Sequence, residues 1–228
     1  MSIAGMADGG GPLLALAVGV FGMLAGVVTE LVVARSLPRL GPPPAGWARI
    51  TTAAVTFVLS VLLAWRFGGS AELTAYLVLG VAAVQLARID IVHHLLPNRL
   101  LLPLSVAGLA LLAIAAGIQG ATEGLLRGVA GAVTLFLLYL VLAVTSRNGL
   151  GMGDVKLAAP LGLYLGYLGW TQLFYGGALG FVAGGIASLV SVLKNRGSKQ
   201  HPGSEQQGEV AHGPSMLAAG LAVILLLA

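Results

Sequence analysis

The chain has 228 residues, 57% of them hydrophobic and 9% charged, with a mean hydropathy of +0.96. A soluble domain carries about 25% charged residues, so this chain cannot dress a water-facing surface and reads as an all-α polytopic membrane protein embedded in the lipid bilayer. Its net charge is only +4 and it has no Cys. Disulfides and Cys-based zinc sites are therefore excluded, and no basic patch interleaved with aromatics points to nucleic acid.

In chain order, Met1–Gly11 is polar, glycine-rich and free of Lys and Arg. A secretory signal peptide has a positive n-region, so the first apolar run is expected to be a retained helix. A membrane helix needs about 20 mostly apolar residues, sometimes about 17. That rule predicts eight transmembrane helices, at 12–34, 51–67, 73–89, 100–118, 125–145, 156–169, 171–193 and 214–228. The sixth is short, and the turn at Gly169-Trp170 after it is tight. Barrel strands would alternate; these runs do not. The 35–50 gap, with Pro38, Pro42, Pro43 and Pro44, reads as a short stiff connector, and 194–213 as a polar, Gly-rich loop. The expected organisation is a two-helix segment over 1–69 followed by a six-helix core over 70–228.

Charge sets the expected orientation. With the 35–50 gap in the cytoplasm, ten of the twelve basic residues fall on the cytoplasmic side, leaving Arg66 and Arg127 outside. The positive-inside rule then puts both termini outside, and Asp90 and Asp154 together on the cytoplasmic face.

Ionisable groups in or beside membrane spans are costly, so each needs an explanation. Asp8, Glu72, Glu123, Glu205 and Glu209 fall in tails or loops and read as solvated charge. Glu30, Asp90 and Asp154 lie close to cytoplasmic helix ends. Glu30 is expected to cap a helix or to pair with an arginine such as Arg35. Asp154 heads the sixth span in Asn148-Gly149-Leu150-Gly151-Met152-Gly153-Asp154-Val155-Lys156-Leu157. Alone it reads equally well as an N-cap, but Gly151 and Gly153 in one turn permit a close approach of a substrate backbone to the carboxylate.

Asp90, 64 positions earlier, closes the third span in Arg88-Ile89-Asp90-Ile91-Val92-His93-His94-Leu95-Leu96-Pro97-Asn98. Alone it reads as an interfacial acid paired with Arg88, with Pro97-Asn98 as a turn and helix restart. His93 and His94 point to different sides of a helix and no Cys/His cluster accompanies them, so no metal and no cofactor are expected. Lys156 and Arg147 read as positive-inside anchors; the alternative for Lys156 is to tune Asp154 or hold its loop. Taken together, the two aspartates offer a mechanism. Carboxylates a few Å apart do not both ionise readily and share a proton. The ionised member takes a proton from water as it attacks a peptide carbonyl, and the protonated member polarises that carbonyl.

The run Gly151-Met152-Gly153-Asp154-Val155-Lys156-Leu157 resembles the GxGD signature of type IV prepilin peptidases, which are membrane aspartic proteases. Asp90, followed by Leu96-Pro97-Asn98, resembles the family's first catalytic aspartate and its downstream Pro-Asn. His212-Gly213-Pro214-Ser215-Met216-Leu217-Ala218-Ala219-Gly220 is similar to its closing Gly-Pro segment. The resemblance covers about 70–228. It implies that Asp90 and Asp154 are the catalytic pair, and that prepilins or pseudopilins are the substrates. It also implies a multi-pass protein of the bacterial inner membrane with its active site facing the cytoplasm. Gly151, Gly153, Lys156, Pro97 and Asn98 would bind substrate or shape the loops. Bifunctional family members carry a larger zinc-binding, Cys-containing domain after the first span and also N-methylate the new terminus. Here the 35–50 connector stands in its place, so peptidase activity is expected and methyltransferase activity is not.

Two other classes compete. A proton- or ion-coupled transporter would show internal repeats and midplane acids, against which the shared face of the aspartates argues. A non-catalytic platform for pilus assembly would tolerate loss of both acids.

Overall fold

The computed structural model describes residues 10–38, 46–145, 151–196 and 212–227. Most of the Pro-rich connector, the Asn148–Leu150 part of the glycine run with Arg147, and most of the 194–213 loop lie outside the described residues, as does Asp8. Among those described there are eight helices and no strand: α1 Gly10–Ser36, α2 Gly46–Phe67, α3 Leu73–His93, α4 Asn98–Gln119, α5 Thr122–Thr145, α6 Met152–Leu168, α7 Trp170–Arg196 and α8 Gly213–Leu227. Each predicted span coincides with one helix. With no water in a bilayer core, backbone groups must be satisfied within the segment, and an apolar run of this length has no option but to coil.

Helices α1 to α5 are long and apolar enough to cross a membrane, and the protein is an all-α membrane protein. The 17 residues of α6 and the 15 of α8 reach about 25 and 22 Å at 1.5 Å per residue, less than a hydrocarbon core of about 30 Å. For α6 the reason is visible in its surroundings. Asp154, Val155, Leu157, Ala158 and every residue from Pro160 to Tyr167 are buried, so the helix is enclosed by protein and need not match the lipid.

Cα packing divides the chain into two compact units. The dividing lines run through α3 and α4, not at the expected 69/70 position. The first unit is Met1–Gln85 with Val106–Thr122. Its α1 lays Gly19, Gly22 and Gly26 against Phe57, Val61, Ser60 and Thr56 of α2, the small-residue contact by which membrane helices approach closely. Phe67 stacks on Tyr76 at 4.3 Å between ring centroids. Thr52 and Thr56, both buried, return their hydroxyls to the carbonyls of Ala48 and Thr52 at 2.9 and 2.8 Å. Gln85 Nε2 donates to Gly26 O at 3.0 Å. Buried Glu30 pairs with Arg49 at 3.5 Å, an arginine across the connector, in keeping with the expected arginine pairing.

The second unit is Leu86–Ser105 with Glu123–Ala228. Here α5 and α6 touch backbone to backbone. A Cβ on Gly131 would stand 2.6 Å from Gly162 O, one on Gly128 2.9 Å from Leu163 O, and one on Gly166 2.8 Å from Arg127 O. Arg127, left on the outer side by the alternation of spans and against the positive-inside bias, caps the C-terminus of α6. Its Nε donates to Gly166 O at 2.8 Å, and its Nη2 to Tyr167 O and Leu168 O at 2.7 and 3.2 Å. A cation there satisfies carbonyls left over at a helix end and complements the helix dipole. One residue later α7 begins, as the tight turn at Gly169 predicts.

Candidate active site

Three helix ends of the second unit build the site. The first is the corner between α3 and α4. His94 N–H donates to Asp90 O at 2.9 Å, and His94 turns into the left-handed region, φ 49°, where an α-helix commonly stops. Leu95–Pro97 is extended, as a residue before proline is biased to be. Pro97 O then accepts from Leu100 N and Leu101 N at 2.9 and 3.2 Å, starting α4. This corner leaves Asp90, 5% exposed, on the last turn of α3 and turns Leu96 inward.

The second is the start of α6. Gly151, not Asp154, is the N-cap: its carbonyl accepts from Asp154 N at 3.0 Å and Val155 N at 3.4 Å. Asp154 is the third helical residue and 7% exposed. Gly151 has an ordinary extended backbone, φ −70° and ψ 145°, and a Cβ there would lie 3.6 Å from Asp154 Oδ2, in normal contact. Gly153 differs: a Cβ would stand 3.0 Å from Leu96 Cβ. Only Gly153 is required by packing. Lys156, which is exposed, donates its Nζ to Asn98 Oδ1 at 3.0 Å, tying the start of α6 to the start of α4.

The third is the start of α8. Gly213 N donates to Asp90 Oδ2 at 3.1 Å in a buried bond. A Cβ on Gly213 would stand 2.7 Å from that oxygen and 3.3 Å from Leu96 Cδ1. Leu96 thus packs against Gly153 on one side and Gly213 on the other, and the peptide next to Asp154 and the donor to Asp90 share one apolar spacer. Asp154 lies within the first turn of α6, an arrangement that favours negative charge, while Asp90 reaches the first N–H of α8 from the last, negative turn of α3.

Two residues near this point carried no signal as candidates in the sequence. Tyr139 on α5 is 1% exposed, and its ring centroid is 6.2 Å from that of His212. His212 immediately precedes Gly213, is buried, and burial lowers its pKa below the ordinary imidazole value. Among the described residues no group of three or more His, Asp or Glu is placed to hold a metal ion.

The fold and site define a class: a polytopic helical membrane protein that brings two sequence-distant buried carboxylates to the ends of helices in one compact unit. Residues 75–189 match the type IV leader peptidase family, and the chain belongs to that family. Both aspartates fall within the matched range. The chain is 32% identical over 170 residues to a prepilin leader peptidase/N-methyltransferase of Stutzerimonas stutzeri, covering 74% of this chain and 55% of the relative. It is 31% identical to one of Pseudomonas aeruginosa, covering 75% and 55%, and 35% identical to one of Neisseria gonorrhoeae, covering 62% and 49%. The chain thus spans about half the length of the curated relatives it matches. No solved structure matches it significantly.

Proposed function

We propose that this protein is an aspartic endopeptidase that removes the leader peptide of type IV prepilins or pseudopilins at the cytoplasmic face of the bacterial inner membrane. The observation that carries the reading is the burial of Asp90 and Asp154 around Leu96, in a chain of a family whose members include prepilin leader peptidases. Family membership disfavours the transporter and platform readings. The functional core in this proposal is 70–228, with 1–69 as an accompanying helix pair.

In the reaction, one ionised aspartate accepts a proton from water while the water oxygen bonds to the scissile carbonyl carbon. The other, protonated, aspartate passes its proton to the carbonyl oxygen. Collapse of the tetrahedral diol breaks the C–N bond, and a carboxyl group returns a proton to the leaving amine. Gly213 N–H holds the Asp90 carboxylate in one orientation. Gly153 and Leu96 set the position of the α6 start, and Pro97, Asn98 and Lys156 hold the corner that carries Leu96. Gly151 leaves the approach over Asp154 Oδ2 open to a polypeptide backbone. Among the described residues α1 and α2 are separated by positions 37–45, and the chain has no Cys. The proposal is therefore cleavage without N-methylation.

The test is co-expression with a prepilin and mass spectrometry of the product terminus. Asp90→Asn and Asp154→Asn should each lower cleavage by about a hundredfold to ten-thousandfold, the range of general acid–base catalysis, while the protein still accumulates in the membrane. Full processing by either variant would sink the proposal, and a methylated product in cells without another methyltransferase would refute its second part.

A further inference from the structure

The polar groups behind the aspartates have no place in the mechanism above. Tyr139 Oη and His212 Nε2 are both buried, and neither has a hydrogen-bond partner among the described residues. A buried polar atom left unpaired is costly, so two of them close together are a feature to be explained.

Their surroundings show that the placement is built. On α7, Gly180 and Gly184 are one helical turn apart. A Cβ on Gly180 would stand 3.6 Å from Tyr139 Oη and 3.3 Å from Met216 Cα, and one on Gly184 would collide with the imidazole of His212. Any larger residue at Gly184 would expel the ring. Gly184 thus makes room for the imidazole, and Gly180 for the backbone of the α8 start at Met216.

From there the covalent and hydrogen-bonded connections lead to Asp90. The carbonyl of His212 accepts from Met216 N at 3.2 Å, which fixes residue 212 as the residue that caps α8. The next peptide N–H, that of Gly213, is the one Asp90 Oδ2 accepts. Tyr139 in turn stands beside the imidazole, 6.2 Å between ring centroids. Both polar atoms are too enclosed to meet a substrate, so their effect must pass through Gly213.

We propose that Tyr139 and His212 are positioning residues for Asp90, coupled to each other, with the Tyr139 ring backing the imidazole and His212 fixing the Gly213 N–H that orients the carboxylate. A carboxylate held in its reacting orientation favours the transition state over the bound substrate, so loss of either residue lowers kcat and leaves KM alone. This inference rests on the peptidase reading.

The experiment uses the full chain purified in detergent, with kcat and KM measured on a prepilin. Tyr139→Leu and His212→Phe should each lower kcat about tenfold with KM within about twofold, and the double variant should be no worse than the poorer single, as expected of residues acting as a unit. His212→Gln, which restores a polar group, should recover part of the loss. Wild-type kcat in both single variants, or losses that multiply in the double, overturns the proposal. A melting-point cycle over the same four proteins reads the coupling without catalysis: non-additive shifts support the pair, and strict additivity overturns it. If the wild type cleaves no prepilin, the peptidase reading has failed while the melting cycle still decides the coupling. If cleavage is intact and the cycle is additive, only this inference has failed.

Discussion

Both compact units bury polar side chains in apolar surroundings, and they treat them differently. In the first unit, Thr52 and Thr56 give their hydroxyls to carbonyls one turn back on the same helix, while Gln85 bonds Gly26 and Glu30 pairs with Arg49, each on a neighbouring helix. The threonines cost little, and the other two groups join one helix to the next. In the second unit, Asp90, Asp154, Tyr139 and His212 come from α3, α6, α5 and the start of α8. Their placement depends on several helix ends meeting correctly, and among the described residues Tyr139 Oη and His212 Nε2 have no hydrogen-bond partner. The contrast separates polarity settled within one or two helices from polarity that, in the proposed function, serves chemistry.

Substitutions that touch only one side of this contrast can break it. The largest effect after loss of an aspartate is expected for Gly213→Ala. Its methyl would stand 2.7 Å from Asp90 Oδ2, and a displacement near 1 Å of a reacting group costs about a hundredfold. Cleavage rates on a prepilin should fall by about that much, and a wild-type rate would show that Asp90 does not need this donor.

Gly153→Ala should follow, with about a tenfold loss, because Leu96 has to yield by only a few tenths of an Å. Gly151→Ala sharpens the comparison from the other side. The backbone there is ordinary and the new methyl has room, so the melting point should hold within the ±0.5 kcal/mol usual for harmless substitutions. A fall in cleavage at unchanged stability would locate the substrate over Asp154.

The smallest effect is expected for Thr52→Val in the first unit. It removes a hydroxyl bonded to its own helix and should leave cleavage unchanged and stability altered by less than about 1 kcal/mol. A severe loss of cleavage would mean that the first unit contributes polar chemistry after all.

Much of the fold was legible because charge is so scarce. Eight apolar runs separated by polar gaps admit few readings, and in such a chain Asp90 and Asp154 stand out by their rarity. The two readings of Asp154 are separated by the start of α6: the cap is Gly151, without a side-chain cap bond, so the carboxylate of Asp154 is not spent as an N-cap. Arg127 was legible only as a charge to be counted on one side of the membrane. Its use as the cap of α6 depends on Gly128 and Gly131 bringing α5 against α6, which no local pattern reveals. Tyr139 and His212 were silent for a similar reason. A tyrosine in an apolar helix and a histidine ending a polar loop are common, and only the bare backbone of Gly184 on a third helix admits the imidazole.

The glycine contact between α5 and α6 also has a consequence for depth. Gly131 and Gly162 face each other with no space for a methyl, and Ala132 Cα lies 2.9 Å from where a Cβ on Gly162 would be. A slip of one helix along the other by a single residue, about 1.5 Å, would force alanines into that contact. The register is therefore locked, and with it the level in the bilayer at which the carboxylate of Asp154 stands. Under the proposed function a bond would have to be presented at that level to be cut, and the ruler for the cleavage position would be a glycine seam two turns away from the acid.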